Sequence, residues 1–190
     1  MAFVVVLALL VVGGGGAGAW WFLSDRGGDG PGASEAEGLV IEDSESGISY
    51  TLPEGWEELA SEDLIDAFTS SASTATEIGG ASVFAFSGEA MTDEEMSMSI
   101  SVIAGENSEY FYPYAEDRQI LLSEPTEVDG QEAYRFTWLV STADEEPMYG
   151  HILHILTDDN RSVFLMGIVH PDDPDLRTEI DAVISGATLI

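Results

Sequence analysis

The chain has no cysteine and no lysine, and only five arginines and three histidines in 190 residues. Without cysteine there is no disulfide framework, no thiol nucleophile, no cysteine-ligated metal and no lipid-bearing cysteine anchor. The five arginines stand against 36 Asp and Glu, a net charge of -31. That sign excludes a nucleic-acid partner, because phosphate recognition needs the opposite one. It fits a soluble surface, high salt, a cation-rich surface or a lysine-poor proteome. The hydrolase G-x-S-x-G, the P-loop, the zinc-protease H-E-x-x-H and the dinucleotide G-x-G-x-x-G are all absent.

The N-terminus carries an address. From Ala2 to Leu23 no residue bears a charge or a hydroxyl. A helix of that length is about 33 Å long against a hydrocarbon core of about 30 Å. Trp20, Trp21 and Phe22 suit an interface, and every charged residue lies beyond them. Residues 1–23 are therefore expected to form a transmembrane anchor, with a cleavable signal peptide ending at Ala17-Gly18-Ala19 as the competing expectation. Arg26 alone would hold the domain inside, but a long C-terminal domain translocates largely regardless of charge, so the expected topology is single-pass with the domain extracytoplasmic. Gly14 and Gly18 form a G-x-x-x-G, a candidate self-association seam. Residues 24–38, rich in Gly and acids, read as a flexible linker, with the folded domain over 39–190.

Within that domain the stretch Gly47–Trp56 is the organising one. Ile48, Tyr50 and Leu52 alternate with Ser49 and Thr51, the period of a half-buried strand. Leu52-Pro53-Glu54-Gly55 reads as a type I turn that swings Trp56 back over the strand. A short helix follows Ser61 through Phe68, a loop is expected over 70–76, and strands over 81–86 and 96–103. Asp129-Gly130 marks a hairpin joining 120–128 to 131–140, with Tyr134, Phe136, Trp138 and Val140 on one face. A second hairpin joins 148–156 to 162–170. Its faces are read as Leu153, Ile155, Phe164, Met166 and Ile168 against Ile152, Leu156, Val163 and Leu165. Both are apolar, which demands cover on both sides. Asp173, Pro174 and Gly186 bracket a last helix with Leu176, Ile180, Val183 and Ile184 on its buried stripe. The expected fold class is α+β: a mainly antiparallel sheet flanked by helices, an α/β/α sandwich, preceded by one transmembrane helix.

The strand closed by Leu52-Pro53-Glu54-Gly55-Trp56, the two successive hairpins and the closing helix 174–185 resemble the PsbP-like family. That family includes an extrinsic photosystem II subunit, a Ran-binding import factor and bacterial membrane-anchored members, the branch suggested here by the apolar N-terminus. The resemblance covers about residues 39–190. It implies a binding or assembly module with no catalytic residues to carry over.

Candidate chemical sites are few. On a strand His151 and His154 point to opposite faces, so their spacing makes no joint metal site. Met91, Met96 and Met98 offer soft ligands for Cu(I), but methionine filling a core is the commoner use. Glu94-Glu95 and Asp158-Asp159 lack the pattern of a calcium loop. If the second hairpin turns through Asp159-Asn160 alone, His151 faces Ile168 and Tyr149 faces His170, making His151 and His170 diagonal neighbours; a one-residue longer loop dissolves that cluster. No catalytic residue, metal ligand or cofactor is assigned. The expected function is a membrane-tethered, non-enzymatic binding or assembly module at the outer face of a bacterial membrane. Its expected partner is a protein, an envelope component or a small apolar ligand. The alternative is a carboxylate-based envelope enzyme.

Overall fold

The computed structural model describes residues 38–60, 68–77, 79–89, 117–141, 146–157 and 161–190. In chain order the strands are β1 (Leu39–Asp43), β2 (Ile48–Leu52), β3 (Glu57–Glu58), β4 (Ser70–Ala75), β5 (Gly80–Glu89), β6 (Asp117–Val128), β7 (Gln131–Ser141), β8 (Met148–Leu156) and β9 (Arg161–His170). Helix α1 (Pro174–Ser185) and strand β10 (Thr188–Leu189) close the chain. A seven-stranded sheet runs in the order β3-β4-β5-β9-β8-β7-β6 and a three-stranded sheet in the order β1-β2-β10, with every pairing antiparallel. The architecture is an α+β sandwich with a large antiparallel sheet and, among the described residues, one helix.

Local chemistry explains the connections. Asp43 turns the chain after β1 by accepting hydrogen bonds from the backbone N–H groups of Glu45 and Ser46, both at 3.1 Å. Asp129 and Gly130 have φ of 50° and 82°, as a type I′ turn requires, and Val128 pairs with Gln131 as the hairpin signal implies. After β2 the turn differs from expectation by one residue. The Trp56 N–H reaches the Pro53 carbonyl, and Gly55 has φ of 87°. The turn is thus Pro53 to Trp56 with glycine third, a type II geometry that needs positive φ at that position.

Two other expectations are corrected. Residues 70–75 form a strand, not a loop. Ser-Ser-Ala-Ser-Thr-Ala has little strand propensity, but it is held between β3 and β5, with Ser70, Ser71 and Ala72 buried. The faces of the second hairpin are also reassigned. Leu153 pairs with Leu165 and Ile155 with Val163, while Ile152 pairs with Met166. Directly opposed residues share a face, so Leu153 and Ile155 lie with Val163 and Leu165, and Ile152 lies with Phe164, Met166 and Ile168.

The sheet thus separates two cores. One gathers Ile48, Tyr50, Leu52, Trp56, Val83, Leu153, Ile155, Val163, Leu165 and the stripe of α1. The helix is set by Asp173, whose side chain accepts from the N–H groups of Asp175 at 2.9 Å and Leu176 at 3.1 Å, and by Pro174 in its first turn. It lies close because Gly167 is bare: a Cβ there would sit 2.5 Å from Ile180 Cγ2. The second core, on the other face, gathers Phe136, Trp138, Val140, Met148, Ile152, Phe164, Met166 and Ile168, with Phe68, Phe84, Phe86 and Tyr134 packed against it.

The transmembrane helix expected ahead of the sandwich is corrected as well. Among the described residues no helix is long and apolar enough to cross a membrane. Helix α1 has 12 residues, about 18 Å, and buries only one stripe. No membrane span among the described residues therefore supports the membrane as a partner through residues 2–23, the single-pass topology or the extracytoplasmic placement. Residues 1–23, the Gly14 and Gly18 seam and the linker to Glu37 lie outside the described residues. So do the expected helix from Ser61 to Ala67 and the strand over 96–103.

Candidate functional site

Among the described residues a set of polar side chains gathers where α1 crosses the helix-facing side of β8. Tyr149 and His151 are two residues apart on that strand and so share a face. Both reach one carboxylate oxygen: the Tyr149 hydroxyl donates to Asp181 Oδ1 at 2.7 Å, and His151 Nδ1 lies 2.7 Å from the same atom. The His151 side chain is 4% exposed and that of Asp181 is 49% exposed, so the carboxylate bridges interior and solvent. An ionised Asp181 can only accept, which places the proton of His151 on Nδ1. Arg177, one turn before Asp181, stacks its guanidinium 4.7 Å over the Tyr149 ring and forks onto the Asp172 carboxylate. On the same helix Glu179 Oε2 accepts from the Trp56 indole N–H at 2.7 Å.

The electrostatics follow from these contacts. Burial alone pushes the Asp181 carboxyl up, but the hydrogen bonds from His151 and Tyr149 and the nearby positive groups hold it below its usual value. Burial, then the Asp181 hydrogen bond and charge, push the Tyr149 phenol up. A nucleophilic triad would need a hydroxyl or thiol on the far ring nitrogen of its histidine. His151 Nε2 is buried and has no hydrogen-bond partner among the described residues. The cluster is thus built as a clasp between helix and sheet.

A second knot ties the β1–β2 hairpin to β4. Thr69 Oγ1 donates to Asp43 Oδ2 at 2.5 Å, and the Tyr50 and Ser70 hydroxyls share a hydrogen bond of 3.0 Å. Burial pushes Asp43 up, but its bonds to Thr69 and Ser46 hold it below its usual value, while burial pushes Tyr50 up to about 12.

The three histidines do not meet. His154 lies on the aromatic face, stacked on Phe164 with centroids 4.4 Å apart, and shares a 2.8 Å hydrogen bond between Nε2 and Ser162 Oγ. Its Nδ1 is buried without a partner among the described residues, and burial lowers its pKa to about 4. His151 pairs with Gly167 rather than Ile168, and Tyr149 with Val169 rather than His170. The Thr157 N–H bonds the Arg161 carbonyl, so three residues, not two, lie inside the pair that closes the hairpin. That shift puts His170 on the opposite face from His151 and removes the expected neighbourhood. Among the described residues no group of three His, Cys, Asp or Glu could hold a metal ion. Met91, Met96, Met98, Glu94, Glu95, Asp158 and Asp159 lie outside the described residues.

Asp181 and Tyr149 carry the cluster and have no motif in the sequence. The available signal is Arg177 and Asp181, four apart on the edge of the Leu176, Ile180, Val183 and Ile184 stripe, which marks a charged pair beside a buried surface.

No protein-family profile matches the chain, and no curated protein matches it in sequence. Solved structures match it over most of its length. Cyanobacterial PsbP from Synechocystis sp. PCC 6803 aligns with a TM-score of 0.61 at 15% identity, covering 86% of this chain and 98% of that one. The Saccharomyces cerevisiae Ran-binding protein Mog1p aligns with a TM-score of 0.57 at 9% identity, covering 82% and 96%. LpqN, involved in cell envelope biogenesis of Mycobacterium tuberculosis, aligns with a TM-score of 0.50 at 10% identity, covering 81% and 86%. Such identities carry the fold and nothing finer, and none of them points to a membrane-anchored bacterial branch. The chain has the fold shared by PsbP and Mog1p.

Proposed function

We propose that this domain is a non-enzymatic module that binds a partner protein. The observation that carries the proposal is Asp181: its Oδ1 is engaged by both Tyr149 and His151, so the carboxylate paired with the buried histidine holds the helix to the sheet. The fold adds support, since it occurs in a Ran-binding protein. The five arginines against 36 acids make a basic surface the complementary one for such a partner.

Gene replacement tests this. Tyr149→Phe and His151→Gln chains are compared with wild type for rescue of the deletion phenotype, alongside their melting temperatures. Rescue that follows melting temperature is the expected result. A variant that melts like wild type yet fails to rescue would give the cluster a chemical role and overturn the proposal.

A further inference from the structure

We propose that concentrated salt is part of what holds this domain folded. The chain must compact a net charge of -31, and self-repulsion of that kind opposes the folded state. The arginines offer no reserve. Arg135 is bound to Glu124, Arg177 to Asp172, and Arg118 and Arg161 are already engaged. With no lysine, nothing else in the described residues carries a permanent positive charge.

The structure then sets acids against each other at short range. Glu127 stands directly opposite Glu132 across β6 and β7, and Asp129 lies between them in the turn. No basic residue falls between Pro125 and Tyr134. Like charges directly opposed on paired strands destabilise them. On α1, Asp175 and Glu179 are four residues apart, the spacing at which like charges also repel, and the last turn carries no basic residue to meet the negative end of the helix. Glu54, Glu57 and Glu58 are exposed together around β3.

Distance decides how far salt relieves this. Opposed strand residues are about 5 Å apart and the helical pair about 6 Å. At about 0.1 M salt the screening length is about 10 Å, longer than both, and at 1 M it is about 3 Å, shorter than both. The named repulsions therefore act in dilute buffer and fade in molar salt. The domain is matched to the second condition. No localised cation site is involved, since screening acts on every pair.

Melting of the full chain, followed by circular dichroism from about 0.1 M to about 2 M potassium chloride, tests the proposal. A rise in melting temperature of about 5 to 10 °C is expected, with a smaller rise in sucrose of equal osmolality. The double variant E127Q/E132Q neutralises the directly opposed pair. It is expected to melt higher than wild type in dilute buffer and to gain less from salt. A flat wild-type profile, sucrose as effective as salt, or a double variant indistinguishable from wild type in dilute buffer would each overturn the proposal.

Discussion

The two faces of the large sheet each bury a core, by different chemistry. The helix face is mainly aliphatic and is pinned by charge: Glu179 takes the Trp56 N–H, and Asp181 takes Tyr149 and His151. The other face is aromatic, with Phe84, Phe86, Phe136, Trp138 and Phe164, and its one buried ionisable group, His154, has a serine and a phenyl ring for company and no carboxylate partner among the described residues. One face thus stabilises a charged group and the other excludes charge. Two buried cores of one sheet can therefore answer acid in different ways.

The largest expected effect breaks the helix face. Trp56 is buried in the first core and its indole nitrogen is tied to α1, so Trp56→Ala removes both a large aromatic and the partner of Glu179. A loss of about 3 to 5 kcal/mol in a denaturant melt is expected. A loss under about 1 kcal/mol would mean that the helix is held by its charged clasp rather than by packing.

Acid sharpens the comparison. The His154 pKa falls from 6.5 to about 4 on folding because burial penalises the imidazolium. Between those values the unfolded chain binds the extra proton and the folded chain does not, so stability falls as pH drops from 6.5 to about 4 and levels off below. The loss amounts to about 3 kcal/mol, the equivalent of a shift of this size. Asp181 behaves oppositely in cause: its folded pKa lies below 3.8, so its contribution is present above that value and is lost only as pH falls through the lower one. The aromatic face therefore yields first on acidification. His154→Gln, which can still bond Ser162 but cannot titrate, should flatten stability between pH 6.5 and 4, measured by denaturant melts across that range. An unchanged slope would assign the loss to other groups.

How legible this was from sequence depends on the range of the interaction. Asp129-Gly130 and the Asp173-Pro174 helix start carry their geometry in adjacent residues, and both elements stand where the local signals put them. The register of β8 on β9 does not, because Thr157 to Arg161 gives no residue whose backbone dictates two turn positions over three. One residue of loop then moved every side chain of β9 relative to β8, and with it the faces of Leu153 and His151. Strand β4 was hidden because Ser70–Ala75 takes its conformation from its neighbours. The clasp was hidden for the same reason, since His151 and Asp181 are 30 residues apart and neither sits in a motif.

The smallest effect separates bond length from bond worth. The contacts from His151 to Asp181 and from Arg135 to Glu124 are both 2.7 Å long. In the second pair the side chains are 31% and 42% exposed, so water and salt compete for both partners. In the first pair the histidine is 4% exposed and only the carboxylate reaches solvent. Asp181→Ala would leave His151 Nδ1 buried without its acceptor and the Tyr149 hydroxyl with Thr137 alone, at a cost of about 1 to 3 kcal/mol, toward the lower figure because the carboxylate is half exposed. Glu124→Ala should cost under about 1 kcal/mol and fade further in salt. Double-mutant cycles on the two pairs, run in dilute and in molar salt, measure the contrast as coupling energies. A coupling for Asp181 and His151 no larger than that for Glu124 and Arg135 would show that this contact adds no more to the helix face than a surface pair, and would narrow the contrast between the faces to the remaining ties and the histidine on the aromatic side.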